Sequence, residues 1–199
     1  MLTKYQKKLL DAQFQSISYG WLESALQWCI NSKYRKYKSV SKFLRDQLDF
    51  PDKDVKDLAL KLRGKDPYVT VSRAEEFVIR NFTYKTDKAQ FNMPEYWAEA
   101  GETFNLKADD CEGLNSLIWL LCVMAGIPED MIYCCLGEVK GGYHHWCLFF
   151  DAKRNRMVRL DAAYFPNVST IAKKPAFKLG TDYKRIDYAF NSTNVFKMK

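Results

Sequence analysis

Midway along the chain the spacing of apolar residues changes. Leu114, Leu117, Ile118, Leu121 and Ala125 recur every three or four positions, as on a helix with one buried face, and Gly126 and Pro128 mark its end. From there the period becomes two. Residues 131–138, 143–150 and 156–161 read as strands, with Gly141-Gly142 and residues 151–155 as the turns between them. Tyr183–Phe190 reads as a last strand. A helical half followed by a meander, with one helix between them, predicts an α+β domain.

The first half is patterned for helices. Leu9, Leu10, Phe14, Ile17, Trp21, Leu22, Ala25 and Leu26 predict a helix over 3–31, with Gly20 as a kink. Pro51 stands at a first helical position, Val55, Leu58 and Leu62 form its stripe, and Gly64 ends it. Ser72-Arg73-Ala74-Glu75 has capping-box spacing and predicts a third helix to about Asn81. Residues 82–102 lack periodicity and are expected to form a long loop over the site. The division expected is a helical region over 1–70 and a core over 71–199.

With 47% apolar and 15% aromatic residues, 199 residues can bury a sizeable core, and disorder is excluded for most of the length. No apolar run suggests a signal peptide or a membrane span. Six cysteines without disulfide spacing read as reduced cytoplasmic thiols, mostly buried. The net charge of +7 favours an anionic partner. Part of it lies in Lys33-Tyr34-Arg35-Lys36-Tyr37-Lys38, either a docking patch or, with no binding motif beside it, a solvated loop.

Three residue types carry the chemistry. Cys111 falls at the first turn of the central helix, where unpaired N–H groups and the helix dipole favour a thiolate and could hold an oxyanion. Asp109 and Asp110 oppose that by repulsion. The only two histidines, His144 and His145, follow on a strand. His144 shares a face with Trp146 and Leu148, and His145 shares the other with Cys147 and Phe149, so one imidazole at most points at Cys111. Asp161 ends the next strand and can orient an imidazole on its own face. Cys, His and Asp in that order suit a thiol nucleophile, a general base and an orienting carboxylate. Zinc at Cys134, Cys135, His144, His145 and Cys147 is disfavoured because strand neighbours point apart. No cofactor or metal is expected.

Residues 75–165 resemble the transglutaminase-like superfamily of papain-like cysteine hydrolases. Asp109-Asp110-Cys111-Glu112-Gly113 follows its cysteine box, Gly-Asp-Cys-Glu-Asp, Glu95-Tyr96-Trp97 and Glu102-Thr103-Phe104 follow the Tyr-Trp and Pro-x-Glu-Thr-Leu-like segments that precede that box, and Ala125-Gly126-Ile127-Pro128 follows its helix end. His144-His145-Trp146 matches its His-x-Trp box, and Leu160-Asp161-Ala162-Ala163 its aspartate box. Two positions depart from the pattern: Asp109 stands for the usual glycine and Gly113 for the usual second acid. The resemblance implies a papain-like core with an N-terminal helical extension, Cys111 as nucleophile, His144 as base and Asp161 as its partner. It implies hydrolysis of an amide in a polypeptide or peptidoglycan peptide through a thioester acyl-enzyme. The alternatives are a cross-linking transglutaminase or a structural, virion-associated protein that keeps the fold. A bacterial or bacteriophage origin, and so a host cytoplasm or virion location, is a further expectation from the resemblance.

Overall fold

The computed structural model describes residues 14–16 and 40–198. Its centre is a helix that is apolar nearly all round, α6 (Cys111–Met124), in which every residue from Glu112 to Cys122 is buried. A helix of that composition must be covered on all sides. One side is covered by a six-stranded antiparallel sheet in the order β1-β8-β7-β4-β5-β6. The strands are β1 (Phe14–Ser16), β4 (Ile132–Val139), β5 (Gly142–Asp151), β6 (Arg156–Leu160), β7 (Tyr183–Phe190) and β8 (Val195–Met198). The other sides are covered by α1 (Val40–Asp49), α2 (Lys53–Leu62), α3 (Pro67–Asn81) and α5 (Ala100–Leu106). Phe43, Leu44, Val55, Ala59, Val71 and Val78 join Leu117, Ile118 and Leu121 in one core, so the two helices before residue 63 pack into the same interior as α6. The α+β architecture expected from the change of period is present.

The sheet is buried on both faces, which is why its strands read as nearly continuous apolar runs. Cys134, Leu136, Cys147, Phe149 and Leu160 face the helices. Tyr133, Cys135, Trp146, Leu148 and Tyr183 face away and are covered by Tyr164 and Phe177 from the 161–182 connection.

Several expectations need correction. Where a helix is expected over 3–31, Phe14–Ser16 pairs instead as a strand with Phe196–Met198. The rest of that stretch, and the basic segment 33–38, lie outside the described residues. Helix α3 begins at Pro67, not at Ser72. Asp66 caps it by accepting the Val69 N–H, and Pro67 supplies the fixed φ of a first turn. The Ser72 hydroxyl donates to the Tyr68 carbonyl and accepts the Ile171 N–H, so the capping-box letters sit mid-helix. The expected 82–102 loop contains β2 (Thr83–Tyr84), the single turn α4 (Asp87–Gln90) and the start of α5, which the Glu99–Glu102 capping box opens. Strand β2 pairs in parallel with β3 (Ala108–Asp109), setting Tyr84 against the residues that lead into Cys111. No helix among the described residues is long and apolar enough to cross a membrane.

Candidate active site

Cys111 is the first residue of α6, with Asp110 as its N-cap, and its thiol is only partly exposed. The first-turn N–H groups of a helix have no intrahelical partner and are the oxyanion donors expected here. The two departures in the cysteine box turn out to be one feature. A Cβ on Gly113 would meet Asp109 Oδ2 at 2.0 Å, so the Asp109 carboxyl fills the space a side chain at 113 would need. That carboxyl is fully buried, accepts the Thr103 hydroxyl at 2.5 Å and accepts the Asp110 N–H at 2.9 Å. An acid is thus supplied to this spot from 109 instead of 113.

The histidines divide as strand alternation requires. His144 Nε2–H donates to Asp161 Oδ2 at 2.9 Å, and its ring stacks on Trp146 at 5.9 Å between centroids and 15° between planes. With Nε2 so engaged, Nδ1 carries the basic lone pair. Burial raises the Asp110 carboxyl above its ordinary value, and the charge of His144 offsets only part of that. Gly137 is the β4 partner of His144; any Cβ there would meet the Arg185 carbonyl oxygen at 2.0 Å, so β7 closes up against β4, the strand paired with the one that carries His144. His145 points the other way. Its Nδ1–H donates to the Cys111 carbonyl at 3.4 Å and its ring lies between Trp97 and Phe190. Burial drives its pKa down to about 3, so it is a neutral core imidazole.

Asp161 follows directly on β6 and is held from all sides. Its Oδ1 accepts the N–H groups of Ala163 and Tyr164 at 2.9 and 3.0 Å, and its Oδ2 is shared by His144 and the Tyr183 hydroxyl. Burial works against ionisation, but the hydrogen bonds from His144 and Tyr183 outweigh it, and the carboxyl titrates below its ordinary value.

The cysteine side is the reverse. The Cys111 thiol donates to Glu112 Oε2 at 3.2 Å and not to an imidazole. Burial, then the charges of Glu112 and Asp110, push it well above the usual thiol range. This overturns the expectation of a thiolate lowered by the helix N-terminus: the neighbouring carboxyls and burial win over the dipole. Burial also raises Asp87 to about 8 and Asp109 to about 7. Three oxygens in this cluster, Asp87 Oδ1, Asp110 Oδ1 and Glu112 Oε1, are buried without a hydrogen-bond partner. Oxygens of Asp87, Glu95 and Glu112 lie within 4.8 Å of one another, as do those of Asp87, Asp109 and Asp110.

Among solved structures, the chain is similar to calcium-bound LapG of Legionella pneumophila, with a TM-score of 0.55 and 18% identity over 80% of this chain and 87% of that one. The EGTA-treated form of LapG gives a TM-score of 0.54 and 18% identity over 81% and 89%. The fold is transglutaminase-like. A structure described as a TGase gives a TM-score of 0.42 and 13% identity over 85% of this chain and 50% of that one, too distant in shape to add weight. No family model and no curated protein sequence matches the chain.

On this transglutaminase-like fold two polar residues tie the elements of the site together, and sequence reasoning passed over both. Asn115 Nδ2 donates to the His145 carbonyl at 2.7 Å and to Asp161 Oδ1 at 3.4 Å, while its Oδ1 accepts the Ala162 N–H at 2.9 Å. One side chain thus locks α6 to β5 and to the Asp161 turn. Its position four residues after Cys111, on the same helix face, is the signal that could have found it. Tyr183 gave no such signal, because a strand tyrosine is ordinarily core.

Proposed function

We propose that the protein is a cysteine-dependent amide hydrolase acting on a polypeptide or peptidoglycan peptide, with Cys111 as nucleophile, His144 as base and Asp161 as the orienting carboxylate. The observation that carries this reading is the buried His144–Asp161 pair at 2.9 Å, in one fold with a thiol at a helix N-terminus. Asp161 fixes the tautomer that leaves Nδ1 as the acceptor. The thiol proton passes to that nitrogen once Cys111 rotates away from Glu112. The sulfur then attacks the amide carbon, and the first-turn N–H groups receive the oxyanion. The imidazolium returns the proton to the leaving amine, and water, activated by the same nitrogen, releases the acyl group. With a lysine amine in place of water the same steps would cross-link; no residue of the site singles out an amine acceptor.

A second feature belongs to this reading. The acid cluster at the cysteine turn has the donor set of a hard divalent cation: carboxylate oxygens, three of them buried and unpartnered. Asp87, Glu95, Asp110 and Glu112 would hold it, and one of the LapG structures similar to this chain is a calcium-bound form. A cation there would supply positive charge against the carboxyls that now keep the Cys111 thiol protonated.

The test is the alkylation rate of each thiol by iodoacetamide near neutral pH, read by peptide mapping. Cys111 should react first, His144→Ala should slow it at least tenfold and His145→Ala should not. Calcium should speed it and EGTA reverse that, with Glu112→Gln removing the response. If Cys122 or Cys134 reacts sooner, or if His144→Ala changes nothing, the hydrolase reading is wrong.

A further inference from the structure

Behind Asp161, on the sheet face away from the helices, is an open cavity of about 370 Å³ that the proposed chemistry does not use. Its walls are Arg159 from β6, Tyr183 from β7, and the 174–182 part of the connection, including Lys174, Phe177, Lys178 and Asp182. Three cations against one acid make it electropositive, in contrast to the acid-lined cysteine turn. The volume is that of a small-molecule site, and one wall is aromatic.

Two of the cations are each linked through one side chain to Asp161. The Arg159 guanidinium lies 4.7 Å from the centre of the Tyr183 ring and 5.6 Å from that of Phe165, and Tyr183 donates its hydroxyl to Asp161 Oδ2. The buried Lys174 ammonium donates to Glu75 Oε1 at 2.9 Å and to the Asn167 carbonyl at 3.1 Å. The same Glu75 oxygen accepts the Asp161 N–H at 3.1 Å. One link therefore reaches the Asp161 carboxylate and the other its backbone. Glu75 neutralises Lys174 in this pair, so the charge facing an incoming anion comes chiefly from Arg159 and Lys178. The Arg159 guanidinium lies over two aromatic rings and also meets the Tyr183 hydroxyl, and its remaining donors can take a planar or tetrahedral anion.

We propose that this cavity binds an anionic group, a carboxylate or a phosphate carried on an apolar or aromatic body, and that its occupancy is transmitted to Asp161 through Tyr183 and Glu75. An anion drawing on Arg159 changes the partner over the Tyr183 ring, and with it the hydroxyl that competes with His144 for Asp161 Oδ2. The binding half is independent of thiol chemistry; the coupling half rests on the hydrolase reading.

The experiment titrates full-length protein with phenylacetate, inorganic phosphate and neutral phenylacetamide at constant ionic strength, by calorimetry and thermal shift. Phenylacetate should bind and phenylacetamide should not. Binding of phosphate alone would identify a phosphate source, and of phenylacetate alone a carboxylate one. Arg159→Gln should weaken binding at least tenfold, the loss of a charge-assisted hydrogen bond. Lys178→Ala, at an exposed position, should weaken it less and guards against misfolding of the first variant. Cys111→Ser should bind as the parent does, so failure of the hydrolase reading leaves this result intact. Saturating phenylacetate should change the rate of Cys111 alkylation at fixed pH in the parent protein and not in Arg159→Gln. Equal binding of acid and amide, binding by neither anion, or full binding by both cavity variants would overturn the site. Binding with an unchanged alkylation rate would overturn the coupling.

Discussion

Asp161 and the carboxyls of the cysteine turn are the same chemical group in comparable burial, and they titrate in opposite directions. Asp161 is 1% exposed, yet its oxygens are taken up by His144, Tyr183 and two backbone N–H groups, and its pKa falls. Asp87 is 3% exposed, keeps one oxygen without a partner, has acids as neighbours, and rises to about 8. Burial penalises the charge in both places; donors decide the sign. The polar groups around His144 are therefore held by donors, while the carboxyls of the cysteine turn are raised by burial and by one another.

The sharpest way to break this comparison is to remove the charge at Asp161. Asp161→Asn keeps the shape but presents a donor or a weaker acceptor to His144 Nε2. Cys111 alkylation and any peptide hydrolysis should fall by about two to four orders of magnitude, measured as a rate at fixed pH. A loss below roughly tenfold would mean that His144 is oriented by Trp146 stacking and not by the carboxylate.

The second test exchanges the crowded acid. Gly113→Asp alone drives a side chain into Asp109 and should cost at least about 3 kcal/mol in denaturant unfolding, from overpacking and like charge together. Combining it with Asp109→Gly reproduces the Gly-Asp-Cys-Glu-Asp order and should recover most of that loss. Additive penalties in the double variant would show that the two positions do not share one space.

A smaller effect separates the adjacent histidines. His145 has a folded pKa of about 3 against an ordinary value of about 6.5, so between those values the unfolded chain binds more protons than the folded one. Its contribution is present above pH 6.5 and is lost as the pH falls towards 3, on the order of a few kcal/mol at the low end. His145→Phe should flatten the stability curve across that window, read by urea unfolding at stepped pH. An unchanged slope would place the acid sensitivity elsewhere.

How much of this was legible follows from what each element depends on. Strands β4 to β7 and helix α6 were visible because burial imposes a period on their own residues. Strand β1 was read as helix because Phe14 and Ile17 fit a helical stripe; its pairing with β8 is set by residues some 180 positions away, and no local pattern records it. The start of α3 was missed because Asp66-Pro67 outcompetes the Ser72 box as a cap. At the site, residue types with sharp chemistry stood out, whereas Asn115 and Tyr183 work through geometry that only the fold creates. The state of Cys111 was misjudged for the same reason. Its helix position and its neighbours Asp110 and Glu112 were readable, but the burial that raises the thiol most is tertiary.

The pairing of Phe14–Ser16 with Phe196–Met198 also bears on how the molecule is assembled. The β4–β5–β6 meander closes over turns of a few residues, but the β1–β8 edge closes nearly the whole chain. By loop-closure entropy that contact costs about 2–3 kcal/mol more than a hairpin of ten residues. On a ribosome the β4–β6 meander and the His144–Asp161 pair can form while β8 is still inside the exit tunnel. The outer edge of the sheet forms last, and until β1 arrives β8 presents open backbone donors and acceptors to any neighbouring chain.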